Sequence, residues 1–226
     1  MHIEPEVVTG AKLVFSYATA AGALGLAVRM GLESVRKDGG APVLAIRGLI
    51  CTALVFCFFE VFPHYPVGVS EVHIILGSTL LLLFGGGATA IGLAAGLLLQ
   101  GVLFAPSDLP QYGMNVTTLL VPLWAINALS NRVIPAHTAY VNLRYGQVLA
   151  LSATYQGGIV AWVAFWALYG QGFEAQNLSA IGSFGVAYMS VVLLEPIIAL
   201  GILAGAKAYR RLSHRPVFSA RLHNAA

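Results

Sequence analysis

Charge is what this sequence has least of. Only 9% of its 226 residues are Asp, Glu, Lys or Arg, while 58% are hydrophobic. Soluble domains are roughly a quarter charged. A chain this poor in ionised groups cannot cover its own surface against water, which excludes a large soluble domain. Lipid is the solvent that makes the deficit harmless. Cysteine is nearly missing too. Cys51 and Cys57 share one apolar run, and their spacing makes neither a redox CxxC nor a zinc knuckle. They are expected to be reduced structural residues. There is no GxxxxGK[ST] to cradle a nucleotide, no HExxH and no GxSxG, which argues against a built-in ATPase and the corresponding hydrolases. A basic leader is absent as well: the chain opens Met1-His2-Ile3-Glu4-Pro5-Glu6, acidic where a signal peptide would be basic, so no cleavable signal is expected.

What the sequence does have is long apolar runs. They fall at roughly 10–31, 42–61, 73–86, 87–106, 114–134, 144–169 and 179–206. A helix needs about 20 apolar residues to cross the hydrocarbon, so seven spans consume nearly the whole chain. This leaves no room for an ATPase, a soluble enzyme domain or a nucleic-acid module. The breakers are Lys37-Asp38-Gly39-Gly40, Phe62-Pro63-His64-Tyr65-Pro66, Pro106-Ser107-Asp108 and Gly170-Gln171-Gly172. Runs three and four are parted only by Gly85-Gly86-Gly87, and a single long helix over 73–106 is the competitor. Cytoplasmic loops collect Lys and Arg, and this decides the matter. With seven spans and the N-terminus outside, Arg29, Arg36, Lys37, Arg47, Arg132, Arg144 and the C-terminal basic residues all fall inside; Lys12 alone of the twelve falls outside. The fold class read from the sequence is therefore all-α: one transmembrane domain over 1–226, about seven helices, N-terminus out. Residues 1–9 form an N-terminal tail and 207–226 a basic cytoplasmic tail expected to fray. The GxxxG patterns Gly92–Gly96 and Gly201–Gly205 read first as internal helix packing and second as a docking face for another membrane subunit.

This topology gathers His2, His64, His73, Glu4, Glu6, Glu60, Glu71, Asp108 and Glu174 on the outer side. An acidic, histidine-bearing mouth suits a metal cation. Met1-His2 carries the sharpest hypothesis. A free amine at residue 1, the amide nitrogen of residue 2 and Nδ1 of His2 can close a five- and a six-membered chelate ring on one ion. One further imidazole completes a square of nitrogens, a geometry that suits Ni(II), Cu(II) or low-spin Co(II) and rejects the oxygen-seeking Mg²⁺ and Ca²⁺. His73, at the start of the third run, is the favoured fourth ligand; His64, in an apparent exposed turn, ranks below it. Asn115 reads as a helix cap or as a group holding a liganding His from behind, a role also open to Glu71. Gln100, Asn127 and Asn131 read as interhelical glue. Glu195, beside Pro196 in the middle of the last run, is a functional candidate because intramembrane carboxylates are expensive.

These residues also resemble a known family. Met1-His2-Ile3-Glu4, His73 at the start of a span, Leu83-Phe84-Gly85, Gln100 with Leu103-Phe104, and Gly113-Met114-Asn115 are similar to the CbiM/NikM family over roughly residues 1–135. That family supplies the substrate-specific membrane component of energy-coupling-factor ABC transporters for cobalt and nickel. The resemblance implies metal ligation by the amine of Met1, the amide and imidazole nitrogens of His2, and His73, with Asn115 nearby. It implies partners too: a transmembrane coupling subunit and two cytoplasmic ATPases, in the cytoplasmic membrane. The family's Ser-His-Pro-Thr-Gly-Thr-Gly reads Val72-His73-Ile74-Ile75-Leu76-Gly77-Ser78 here, which predicts an altered loop and an altered metal preference. Two other classes stay open: a metal-binding scaffold or sensor that does not transport, and a membrane metalloenzyme with Glu71 as its base.

Overall fold

The computed structural model describes residues 3–209 and 217–224. Among these, the chain forms seven α-helices: α1 Lys12–Lys37, α2 Gly40–Glu60, α3 Gly77–Phe84, α4 Gly86–Leu103, α5 Tyr112–Val133, α6 Tyr145–Gln171 and α7 Ala175–Ala208. An antiparallel hairpin, β1 Tyr65–Val67 and β2 Ser70–Val72, lies between α2 and α3. Helices α1, α2, α4, α6 and α7 are long and apolar enough to cross a membrane. The architecture is an all-α membrane bundle.

Glycine sets two of the breaks. Gly39 has φ 93° ahead of α2, and Gly85 has φ 85° and ψ 162° between α3 and α4. A Cβ opposes positive φ, so these are the points where the chain can leave one helix sharply and enter the next. The first GxxxG pattern packs inside the bundle. A Cβ added at Gly92 would strike Cys51, and one at Gly96 would lie 2.7 Å from a Val55 methyl, so α4 sits close against α2. The second faces outward, with nothing within 4 Å of a Cβ at Gly201 or Gly205. Cys51 and Cys57 are free. Helix α5 is too polar to count among the five, but it occupies the interior, where Asn115, Thr117, Thr118 and Ser130 are buried away from lipid.

Two expectations need correction. The third run, 73–86, is helical only over Gly77–Phe84; residues 73–76 are not helical. All eight residues of α3 are buried, so this segment threads the centre of the bundle. One end meets the hairpin and the other meets Phe218, whose ring stacks on Phe84 at 5.7 Å. Unwound backbone at this depth is tolerated where protein side chains satisfy it. Second, the C-terminal region is not frayed throughout. Helix α7 runs to Ala208, Ser219 N–H donates to Leu83 O at 2.7 Å, and Leu222 is fully buried. Arg47 ties this end together, donating to Asp38 Oδ2 at 2.6 Å and to the Phe218 carbonyl.

Candidate metal-capture site

The hairpin builds one side of the mouth. Its register pairs Tyr65 with Val72, Pro66 with Glu71 and Val67 with Ser70. Gly68, at φ 63°, makes the turn so close to α7 that a Cβ there would collide with the Ala180 carbonyl. The hairpin brings two histidines together at its open end. β2 ends beside His73, and the chain entering β1 passes through His64. His73 is 1% exposed. Its Nε2 lies 2.9 Å from Glu71 Oε2. One ring face stacks on His64, with centroids 4.8 Å apart and planes at 15°, and Phe59 stands edge-on at 5.1 Å. The polar and apolar contacts together fix this imidazole.

The N-terminal segment closes the other side. Ile3 forms an isolated antiparallel bridge to Ser70 of β2, and Glu4 N–H donates to Val69 O. Ile3 N–H donates to Asn115 Oδ1 at 3.0 Å across a fully buried path. Gln111 Nε2 donates to Pro5 O at 3.2 Å. Ile3, Val7 and Val8 are buried. Asn115 is therefore not the N-cap of α5: the helix has already begun at Tyr112, and its amide oxygen holds the N-terminal segment. Met1 and His2, the first two predicted ligands, lie outside the described residues. Among the described residues, no three His, Cys, Asp or Glu side chains come together as a cation site. His73 with its neighbours does not make one alone.

The mouth is acidic. Burial pushes the Glu4 carboxyl above the usual carboxylate range, and the nearby charges of Glu71, Asp108 and Glu6 push it further the same way. Each unit of negative charge already present raises the cost of ionising the next. A cation entering this mouth relieves that repulsion.

Deeper in the bundle lies a second polar cluster. Glu195 is fully buried. Its Oε1 accepts from Ser78 N–H at 3.0 Å and Ser78 Oγ at 2.8 Å, and its Oε2 from Ser152 Oγ at 2.7 Å and Gln156 Nε2 at 2.6 Å. Gln156 Nε2 also donates to Ile75 O at 2.8 Å. Of the predicted glue residues, Gln100 reaches Glu60 of α2 at 3.4 Å, while Asn131 returns to Asn127 O on its own helix.

The bundle thus carries a buried histidine in its mouth and an N-terminal segment bound beside it. Residues 2–212 match the family model of CbiM, the cobalt uptake substrate-specific transmembrane region. The chain belongs to the CbiM family. No curated protein and no solved structure matches it. A CbiM protein is a multi-pass membrane component of cobalt uptake that works with other transporter subunits, and the family is one of transport components rather than enzymes. Sequence reasoning about this CbiM chain missed two things. It placed His64 in an exposed turn, ranked below His73, and did not foresee that the two rings stack. It did not single out Ser152 or Gln156, since a polar residue in an apolar run gives no sign of which carboxylate it faces.

Proposed function

We propose that this CbiM protein is the ion-capturing subunit for uptake of Co²⁺ or Ni²⁺ across the cytoplasmic membrane. It takes the ion at its outer mouth and passes it inward with a transmembrane coupling subunit and two cytoplasmic ATPases. The ligands are the Met1 amine, the amide and imidazole nitrogens of His2, and His73. One observation carries the reading: Ile3 is bound into the mouth by Ser70 and Asn115, within the same wall that buries His73. A trans peptide separates consecutive Cα atoms by about 3.8 Å, so residues joined to Ile3 have short reach to that imidazole. With Nε2 turned to Glu71, His73 ligates through Nδ1, and the carboxylate raises the basicity of the ring.

The chain crosses the membrane seven times with its N-terminus outside. Five crossings are the long apolar helices, the sixth is α5, and the seventh is the unwound stretch 73–76 followed by α3. What supports the orientation is charge. Lys12 sits at the mouth, bonded to Gly170 O at 2.9 Å, whereas Arg36, Lys37, Arg47, Arg132, Arg144 and Arg221 belong to the other end. Cytoplasmic ends collect such residues.

The test compares Co²⁺ binding by the purified chain with an unblocked Met1 against the same chain extended by Gly-Ser. Extension keeps every side chain and moves only the amine. Tight binding by the first and poor binding by the second is the expected result. Equal binding would discard Met1 from the ligand set. No binding by either would leave a membrane scaffold that does not capture metal.

A further inference from the structure

His73 stands at the head of an unwound stretch, and what keeps that stretch unwound lies elsewhere in the chain. In a regular helix the Ile75 carbonyl and the Ser78 N–H would be satisfied by the helix itself. Here Gln156 of α6 takes the Ile75 carbonyl and Glu195 of α7 takes the Ser78 N–H. Gln156 is in turn held by the same Glu195 carboxylate. Glu195 is the hub: it joins α3, α6 and α7 at one point, fully buried and with four donors on its two oxygens. Gly77 completes the arrangement. A Cβ there would run into the Tyr155 ring, so the entry to α3 lies flat against α6.

We propose that Glu195, acting through Ser78 and Gln156, is a positioning residue for metal capture: it holds residues 73–76 unwound and so fixes the height of His73 in the mouth. Extended backbone rises about 3.3 Å per residue and helix about 1.5 Å. Winding residues 74 and 75 into α3, which Leu76 already leads into as its N-cap, would draw His73 inward by about 4 Å. Metal–ligand distances tolerate about 0.2 Å, so the capture geometry exists only while the stretch is held open. Glu195 never touches the ion. Its effect on binding runs through the backbone of residues 75–78.

This inference rests on the reading that His73 is a metal ligand, so the experiment separates the two. Co²⁺ affinity and the visible Co²⁺ spectrum are measured on the full chain as wild type, His73→Ala, Glu195→Ala, Gln156→Leu and Glu195→Gln. Loss of a group that orients a ligand from behind costs about 10–100-fold in metal affinity. Glu195→Ala and Gln156→Leu should weaken binding in that range and shift the spectrum. Glu195→Gln keeps an acceptor for Ser78 but sets an amide NH2 against Gln156 Nε2, and should recover only part of the affinity. If Glu195→Ala does not fold, Gln156→Leu, which leaves the carboxylate bonded to both serines, carries the test. Should His73→Ala weaken binding while both Glu195→Ala and Gln156→Leu bind Co²⁺ as wild type does, the positioning role is wrong and the ligand assignment stands. Wild-type binding by His73→Ala, or no binding by the wild type, would remove the ligand assignment and this inference with it.

Discussion

At the scale of single residues, Glu4 shows how the mouth responds to charge. Its carboxyl is raised by burial first, and then by Glu71, Asp108 and Glu6. A raised carboxyl binds its proton more tightly in the folded chain than in the unfolded one, so the metal-free protein loses stability as pH rises through the Glu4 pKa. A bound cation reverses the sign by pairing with the ionised form. Glu4→Gln should therefore raise the melting temperature of the metal-free protein at neutral pH and weaken Co²⁺ binding; calorimetry with and without Co²⁺ reads both. Glu71 acts on one partner. Glu71→Gln takes the charge from the group on His73 Nε2 and should weaken Co²⁺ binding about 10-fold, seen as a rightward shift in a metal titration. His73 itself was legible in the sequence, because a histidine opening an apolar run on an acidic side is unusual. Its neighbours were not. The His64 ring reaches it only because β1 and β2 fold back on each other.

At the scale of elements, one sequence pattern has two fates. Gly92 and Gly96 are pressed against Cys51, Val55 and Thr52 of α2, while Gly201 and Gly205 face open space. Overfilling a close-packed contact costs about 1–3 kcal/mol. Gly96→Leu should lower thermal stability accordingly, and Gly201→Leu should leave the isolated chain unchanged; melting curves in one detergent separate them. GxxxG marks a helix that can be approached closely, and the pattern carries no information on whether the approaching helix belongs to the same chain. The boundaries of the other helices followed the apolar runs to within a few residues, except that α1 continues past the first run to Lys37. α3 did not: the Ile75 carbonyl is taken by Gln156 of α6, and Glu195 of α7 takes the N–H of Ser78 just beyond the unwound stretch.

At the scale of the whole molecule, the two ends differ in charge. Most carboxylates gather at the hairpin end with His64 and His73, and most arginines at the end that Arg47, Asp38 and Phe218 tie together. The proposed orientation predicts labelling from opposite sides. In a chain with Cys51 and Cys57 replaced by Ser, Pro66→Cys should react with a membrane-impermeant maleimide on intact cells. Arg144→Cys should react only after the membrane is opened. Both positions are exposed. The reverse pattern would turn the bundle over and place His73 on the cytoplasmic side, where it could not capture an incoming ion.

Lipid as solvent, the helical class, the apolar segments and the unequal charge of the two ends were all legible in the linear chain. These are sums over neighbouring residues, and hydropathy or charge added along a window needs no knowledge of contacts. The position of His73 and its surroundings came only with the folded bundle. Ile3 meets Asn115 across 112 positions, and Ser78 meets Glu195 across 117. A hydrogen bond of that span depends on the packing of every helix between its partners. The donor and the acceptor can be read from the sequence, but the pairing between them exists only in the folded bundle.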